Sequence, residues 1–167
     1  MTHVSSEIRI NAPKEKVWPI LADLGGIQNF HPGVKKSYYT SETKEGLGAS
    51  RVCELIPMGK IEESVTEWRE GEEITLAIFP KEKAPPFKTA HGRVALRQDG
   101  QGTIVTLTVD YALKFGPLGS LMDVLMVRPQ FRKAVPGVLA GLKHYAETGE
   151  LVDRRVFKRI QHVAVPA

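Results

Sequence analysis

Two oppositely charged residues are the first candidates for chemistry in this chain. Arg51 and Glu63 lie on adjacent predicted strands that a short turn joins. If both side chains point to the inside of the sheet they must pair, because an unpaired charge is costly to bury. Ala49, Cys53 and Leu55 share the face of Arg51, so that face is mainly apolar, which is consistent with an inward orientation. The alternative, an ion pair on the outer solvated face, is common on half-exposed sheets and stays open at this point.

Two further residues carry groups that could act on a ligand. His31 lies between a short helix and the next strand, and its ordinary pKa near 6.5 suits a general base. The alternative is a loop histidine held in a turn by Pro32 and Gly33. Tyr111 lies on the inner face of a long strand, where its hydroxyl could hydrogen-bond a ligand, although a plain core tyrosine is the more frequent case.

Motifs for several other kinds of chemistry are missing from the sequence. It has no glycine-rich phosphate loop followed by Lys-Ser/Thr, no G-x-S-x-G elbow, and no His, Cys or carboxylate cluster with metal-ligand spacing. Cys53 is the single cysteine, so an internal disulfide is excluded and a buried structural thiol is the default interpretation. We therefore expect no metal and no cofactor.

Charge and composition limit the classes of partner. The chain has 167 residues, a net charge of +4 and a sequence pI of about 9.2. Its basic residues cluster only near the end, where a solvated segment is favoured over a nucleic-acid or anionic-membrane patch. Aromatic residues are not interleaved with basic ones, so we expect no nucleic-acid partner. No apolar run reaches roughly 18 residues and no signal peptide is visible, so we expect no membrane span and a cytoplasmic location.

Most of the chain before Gly116 alternates with the two-residue period of strands. A first strand covers His3 to Ile10, a short helix covers Lys14 to Leu24, and one more helical turn covers Ile27 to Phe30. Six strands joined by short turns follow, which predicts an antiparallel meander. They cover residues 34–40, 49–56, 60–68, 73–79, 87–97 and 103–115.

One long apolar helix is predicted after the last strand, within Pro117 to Glu150. Pro129 disfavours helical geometry at Arg128. We therefore expect a first segment over about residues 118–127 and a second one from Pro129, with the pocket opening near Arg128. Either the two segments differ in direction, or the second bends near Pro136. The apolar stripe at helical spacing consists of Leu118, Leu121, Met122, Leu125, Phe131, Val135, Val138, Leu139, Leu142 and Tyr145.

A helix with one apolar face has to bury it, and a curled antiparallel sheet supplies the surface. We predict an α+β fold: a seven-stranded curved antiparallel sheet wrapped around a long C-terminal helix, with two short helices after the first strand. One helix cannot fill the concave side of so large a sheet, so an apolar cavity is expected there. Gly137 and Gly141 either give a ligand room or only weaken the helix. Predicted lining residues are Phe30, Leu107 and Leu125.

Several short segments in a fixed order carry a resemblance to a known superfamily. They are Ile10–Trp18 (INAPKEKVW), Phe30–Val34 (FHPGV), Gly46–Arg51 (GLGASR), Ile61–Glu63 (IEE), Gly102–Leu107 (GTIVTL) and Phe115–Gly119 (FGPLG). Their order resembles the helix-grip superfamily that includes START domains, Bet v 1-type proteins and bacterial polyketide cyclase/dehydrase-like proteins, over about residues 3–149. The resemblance implies that Arg51 and Glu63 point inward and face each other in the cavity, as an anchor for a carboxylate or carbonyl of a ligand. It is specific for fold rather than activity, because such proteins bind or transform varied ligands.

Binding of a small hydrophobic or amphipathic ligand, of lipid-, polyketide- or aromatic-like type, is the function that we favour. Arg51, Glu63 and Tyr111 would be its polar anchors. The alternative is an enzyme of polyketide cyclase or dehydratase type, with His31 or Glu63 as the base and Arg51 polarising a carbonyl. A third interpretation is a protein–protein adaptor with a filled core and an exposed apolar patch.

The chain is predicted to divide near residue 150. Residues 1–150 form the ligand-binding domain in this interpretation, and residues 151–167 form a basic tail. The tail extends the helix, covers the pocket mouth or crosses to a second subunit, so a homodimer stays open.

Overall fold

Seven strands and a long C-terminal helix make up the architecture. The structure is a computed structural model that describes residues 1–161. The strands are β1 (Thr2–Ile10), β2 (Val34–Tyr39), β3 (Ser50–Leu55), β4 (Gly59–Arg69), β5 (Glu73–Pro80), β6 (Phe87–Asp99) and β7 (Gly102–Leu113). The helical elements are α1 (Lys14–Ala22), a 3₁₀ helix (Leu24–Asn29), α2 (Gly116–Met122), a π-helical segment (Asp123–Val127), α3 (Arg128–Thr148) and α4 (Arg154–Gln161).

The strands form one antiparallel sheet in the order β1-β7-β6-β5-β4-β3-β2. Strands β2 to β7 pair in chain order, as the short turns predict, and β1 pairs with β7 at one edge of the sheet. Gly71 and Gly100 adopt positive φ angles in the β4–β5 and β6–β7 turns, a backbone conformation that tight hairpins require. The predicted fold class is confirmed.

Helix α3 closes the concave face of the sheet. Leu139 and Leu142 of this helix belong to one buried cluster with Ile10 of β1, Ile74 of β5 and Val105 of β7. Each of these side chains is at most 2% exposed, and full burial of such a side chain stabilises the folded state by about 1.5–3 kcal/mol. Buried residues of α1 and the 3₁₀ helix join the same cluster, which fixes these short helices over one end of the sheet.

The backbone stays helical through Arg128, so the C-terminal helix has no break there, while a change of direction between its two segments stays a prediction. Helical backbone continues from Gly116 to Thr148, and Arg128 has right-handed helical angles of φ −59° and ψ −46°. The N–H of Arg128 bonds the carbonyl of Asp123, five residues earlier. The helix therefore widens just before Pro129, which lacks an N–H and whose ring would clash with an ordinary turn. A pocket opening at a break loses its structural basis.

The first part of the predicted apolar stripe faces outward. Leu118, Leu121 and Leu125 are each more than half exposed, which contradicts the prediction that they are buried. A π-helical turn takes more residues than an α-helical turn, so the spacing of the inward positions changes. The buried positions are four residues apart: Gly119, Asp123 and Val127.

The two glycines of α3 allow neighbouring segments to pack closely against the helix. A Cβ at Gly141 would collide with the carbonyl oxygen of Phe30, at the end of the 3₁₀ helix. A Cβ at Gly137 would lie 2.9 Å from Cζ of Phe157 in α4. Neither glycine lines the cavity, so the alternative in which they give a ligand room is excluded.

The described part of the C-terminal tail folds back onto the domain. Val152 and Val156 are buried in the main cluster, and α4 packs on α3. Residues 162–167 lie outside the described residues, and a boundary at residue 150 stays a prediction. Within residues 1–161, no helix is both long and apolar enough to cross a membrane.

Replacing Gly141 by alanine tests the close packing of α3 on the 3₁₀ helix. We expect Gly141→Ala to lower the free energy of unfolding by about 2 kcal/mol, because the new Cβ displaces backbone and this outweighs the roughly 1 kcal/mol that alanine normally gains in a helix. Gly137→Ala is the matched control, since the end of the Phe157 ring can shift, and its effect should be near zero or stabilising. Urea denaturation measures both variants. Equal effects would contradict the assigned packing.

Candidate functional site

A cavity of about 170 Å³ lies between the concave face of the sheet, the 3₁₀ helix and α3. This volume is below the roughly 300–1,000 Å³ that is usual for sites of drug-sized ligands. Phe30, Leu76, Leu107 and Leu139 are representative of its mainly apolar lining. The polar residues that line it are Asp23, His31, Arg51, Cys53, Glu63 and Arg93.

Arg51 and Glu63 form a buried ion pair at one wall of this cavity. The two residues are direct partners across β3 and β4. Arg51 Nε donates to Glu63 Oε2 at 2.7 Å, and the side chains are 5% and 11% exposed. Arg51 Nη1 also donates to the carbonyl oxygen of Leu24 in the 3₁₀ helix at 2.5 Å. The predicted inward orientation and pairing are thus confirmed, and the alternative of an outer, solvated pair is excluded.

The Arg51–Glu63 pair affects the pKa of the guanidinium itself and of the neighbouring Cys53 thiol. Burial alone would lower the pKa of Arg51, but the attraction of the Glu63 carboxylate outweighs it, so the pKa is raised and the guanidinium keeps its charge. Cys53 Sγ lies 3.5 Å from Glu63 Oε2. Burial, together with the nearby carboxylate, raises the pKa of the Cys53 thiol to about 12. The thiol therefore stays protonated, and it is no nucleophile at neutral pH.

The pair leaves two hydrogen-bonding atoms free. Among residues 1–161, neither Arg51 Nη2 nor Glu63 Oε1 has a hydrogen-bond partner. No fully enclosed side-chain nitrogen or oxygen in that range lacks a partner. These two atoms must therefore reach open space, and the cavity is the open space that their side chains line. One donor and one acceptor are available to a ligand there.

His31 lines the same cavity and is neutral at physiological pH. Its Nδ1 accepts a hydrogen bond from the backbone N–H of Gly33 at 3.0 Å, so the proton of the neutral ring sits on Nε2. Burial lowers the pKa of His31 from 6.5 to about 4, and the Arg51 guanidinium acts in the same direction against the opposing Glu63 carboxylate. The loop interpretation of His31 and its position at the cavity are both correct, and its role as a base stays a prediction.

Phe30 and Leu107 line the cavity as predicted, whereas Leu125 does not. Leu125 is 67% exposed on the outward side of the π-helical segment. The first residue of the C-terminal helix that lines the cavity is Phe131, one turn after the π-helical segment ends at Val127. The sequence pattern placed Leu125 inward because it assumed an unbroken α-helical period, which the π turn interrupts.

Tyr111 points inward, and its hydroxyl is bonded within the protein. Its hydroxyl donates to the carboxylate of Asp123, and its ring packs against Phe87 and Phe131. Burial and the Asp123 carboxylate both raise the pKa of this hydroxyl. Tyr111 is not among the residues that line the cavity, and a buried carboxylate that the pattern did not reveal accepts the hydrogen bond from its hydroxyl, so this geometry gives no support to the prediction that Tyr111 holds a ligand.

One part of the site gave no signal in the sequence. The backbone carbonyl of Leu24 fixes the guanidinium of Arg51, and a backbone acceptor leaves no trace in residue types. Among residues 1–161, no group of three or more His, Cys, Asp or Glu side chains is placed to hold a metal ion.

Removal of one charge tests the energetics of the pair. We expect Glu63→Gln to lower the free energy of unfolding by about 3 kcal/mol, because it leaves the buried Arg51 charge uncompensated. The double variant Arg51→Met with Glu63→Met removes both charges and should recover most of that loss. Urea denaturation of the single and double variants gives the comparison. A double variant as unstable as Glu63→Gln would contradict the assigned burial.

The pKa of His31 predicts a pH dependence of stability. The unfolded chain binds a proton at this residue as the pH falls below about 6.5, whereas the folded chain does so only near pH 4. The stability contributed by neutral His31 is therefore complete above pH 6.5 and is lost between pH 6.5 and 4, by about 2–3 kcal/mol at most. His31→Asn, which can still accept from Gly33, should lack this loss. Parallel pH profiles of wild type and variant would refute the assignment.

Comparison with known proteins gives one family and a set of similar folds. A family model described as polyketide cyclase / dehydrase and lipid transport matches residues 1–147. A search of curated proteins finds no match. A protein of Thermus thermophilus is 24% identical, with a TM-score of 0.69, and the alignment covers 87% of this chain and 97% of that one.

Two further solved structures have informative descriptions. A START superfamily protein of Mycobacterium smegmatis is 14% identical, with a TM-score of 0.65 over 87% of this chain and 97% of that chain. The di-domain ARO/CYC protein BexL of the BE-7585A biosynthetic pathway is 17% identical, with a TM-score of 0.66 over 86% of this chain and 46% of that one. Identities this low show a shared fold. Since the family model spans most of the sequence and the helix-grip architecture agrees with it, the chain belongs to the polyketide cyclase / dehydrase and lipid transport family.

Proposed function

We propose that this protein binds a small, mainly apolar ligand that carries a neutral hydroxyl group. The observation that supports this ligand class is the pair of free atoms at one wall of an apolar cavity, Arg51 Nη2 and Glu63 Oε1. A hydroxyl both donates and accepts a hydrogen bond, so one such group satisfies both atoms. The rest of the ligand replaces open space by contacts with apolar side chains.

The charge of the site disfavours an anionic ligand. Glu63 already neutralises Arg51 at 2.7 Å, so a ligand carboxylate would gain little from the guanidinium and would be repelled by the carboxylate beside it. The carboxylate anchor inferred from the sequence is therefore replaced in this proposal by a hydroxyl anchor. A carbonyl accepts but does not donate, and it would leave Glu63 Oε1 without a partner.

The family supports the same range of ligands. Its description names lipid transport and polyketide cyclisation, and one structural neighbour is described as an ARO/CYC protein. Lipid-, polyketide- and aromatic-like molecules are apolar bodies, many of which carry hydroxyl groups. The cavity volume favours the smaller members of this range. A cytoplasmic location and a homodimer remain predictions.

An acid–base enzyme of cyclase or dehydratase type is the second candidate. It is favoured by the neutral imidazole of His31, which lines the same cavity as the Arg51–Glu63 pair. In a dehydration, His31 or Glu63 would remove a proton from the carbon beside a carbonyl. A C=C bond would form as the C–O bond of the β-hydroxyl breaks, and the departing oxygen would take up that proton from the base and leave as water. A β-hydroxyketone such as 4-hydroxy-4-phenylbutan-2-one reports this reaction through the absorbance of the enone. Turnover that His31→Asn abolishes would establish the enzyme.

A series of naphthalene derivatives tests the proposed anchor. We expect 2-naphthol to bind about tenfold or more tightly than naphthalene or 2-naphthoate, because only the phenol both donates to Glu63 and accepts from Arg51 without added charge. Fluorescence titration measures the three affinities, and native mass spectrometry of the purified protein identifies any ligand it already carries. Tightest binding of 2-naphthoate would refute the hydroxyl anchor but keep the cavity as the site.

A cavity-filling variant tests the location. Ala134 lines the cavity on α3, so Ala134→Phe should lower the affinity for 2-naphthol strongly. Gln130→Phe is the matched control, because Gln130 is exposed one turn earlier on the same helix and does not line the cavity. Equal affinities of both variants for 2-naphthol would place its binding outside the cavity.

A further inference from the structure

An unusual apolar surface lies on the helical segment that precedes α3. We call it the outer patch. Of the twelve large apolar side chains that are exposed among residues 1–161, six fall within twelve consecutive residues, and each of the six is 53–69% exposed. Single exposed apolar residues are ordinary, but a cluster of this size on one short segment marks an interaction surface. The outer patch consists of Phe115, Leu118, Leu121, Val124, Leu125 and Met126.

The buried carboxylate of Asp123 determines which side of this helical segment faces the sheet. Asp123 is 4% exposed and faces the sheet, whereas Val124, Leu125 and Met126 face away from it. Asp123 Oδ2 accepts hydrogen bonds from Thr2 Oγ1 at 2.7 Å and from Arg128 Nε at 3.0 Å. The hydroxyl of Tyr111 donates to Oδ1. A rotation that buried the apolar side chains would break these bonds, so the polar contacts hold the outer patch toward solvent.

The exposed charged residues of the chain segment that carries the outer patch, residues 114–133, are all basic. From Lys114 to Lys133 the charged residues are Lys114, Asp123, Arg128, Arg132 and Lys133. The single acid among them is buried and paired with Arg128. Lys114, Arg132 and Lys133 are exposed. An apolar face bordered by cations is the arrangement of helices that lie in the surface of an anionic bilayer.

We propose that the outer patch docks on the surface of an anionic phospholipid bilayer. Its apolar side chains enter the boundary between headgroups and acyl chains, while Lys114, Arg132 and Lys133 meet lipid phosphates. From Gly116 onward the backbone is helical, so beyond the first turn its N–H and C=O groups are already paired when they leave water. The docking is peripheral, and it goes beyond ligand binding in the cavity.

The same features disfavour a second copy of the chain as the occupant. A two-fold dimer brings the same patch of both subunits together. Its rims would then place Lys114, Arg132 and Lys133 of one subunit beside the same cations of the other, with no exposed acid between Lys114 and Lys133 to offset them. A negatively charged lipid surface is complementary to this rim, and a copy of the chain is not.

Docking would bring the cavity close to the bilayer. The outer patch and the helical wall of the cavity belong to one continuous helix, and Phe131 is only five residues beyond Met126. An apolar ligand could then pass between membrane and cavity over a short distance. Vesicle binding itself needs no occupied cavity, so failure of the ligand proposal leaves this one testable.

Sedimentation with lipid vesicles tests the docking. We expect the full chain to bind vesicles of phosphatidylcholine with phosphatidylglycerol, to bind phosphatidylcholine alone weakly, and to lose binding at high salt. Leu125→Asp should lower the bound fraction about fivefold or more. Leu47→Asp is the matched control, because Leu47 is also 67% exposed but lies in the β2–β3 connection. A second variant, Leu118→Asp, should reproduce the loss, and thermal denaturation checks that all three variants fold.

The remaining outcomes separate the possible occupants. Arg132→Gln with Lys133→Gln should weaken binding and reduce its dependence on salt. Unchanged vesicle binding by Leu125→Asp, an equal loss in Leu47→Asp, or no binding by the wild type would overturn the proposal. A wild-type dimer in sedimentation velocity that Leu125→Asp dissociates, without vesicle binding, would assign the outer patch to a second copy.

Discussion

The buried ion pair between Arg51 and Glu63 connects the parts of the molecule that enclose the cavity. Its guanidinium bonds Glu63 on the neighbouring strand and the carbonyl of Leu24 on the 3₁₀ helix. One charged group therefore fixes the distance between sheet and helical cap. A buried charge must be compensated, so the position of the guanidinium relative to Glu63 and Leu24 is constrained by charge pairing as well as by packing.

Asp123, in the π-helical segment, is a second buried charge. Burial alone would raise the pKa of Asp123, but hydrogen bonds from Tyr111, Thr2 and Arg128 outweigh it and lower the pKa. This carboxylate is saturated by its own chain, and it serves to orient the π-helical segment. The Arg51–Glu63 pair keeps one donor and one acceptor free. The same rule of compensation thus produces a fully bonded carboxylate in one place and an ion pair with free polar atoms beside the cavity in the other.

Much of the fold followed from local patterns. Alternation in the strands and glycine turns such as Gly71 and Gly100 predicted the meander, since short hairpins leave no other pairing. The inward orientation of Arg51 came from the resemblance to helix-grip proteins, with support from the apolar residues on its face. Errors began where the helical period changed. Leu125 was assigned to the site because a constant helical period was assumed, and the π turn interrupts that period. Tyr111 was assigned because a free hydroxyl was assumed, whereas that hydroxyl bonds Asp123.

The sequence by itself determined the strands and helices, their order along the chain, and the identity of the side chains that could do chemistry, among them Arg51, Glu63 and His31. The elements and their order follow from periodicity and turn chemistry, which are local properties of the chain. Only the tertiary structure decided which polar atoms remain free, how large the cavity is, and which side of the helix faces water. Those properties depend on contacts between residues distant in sequence, such as Thr2 with Asp123 and Gly141 with Phe30, and a single sequence does not record them.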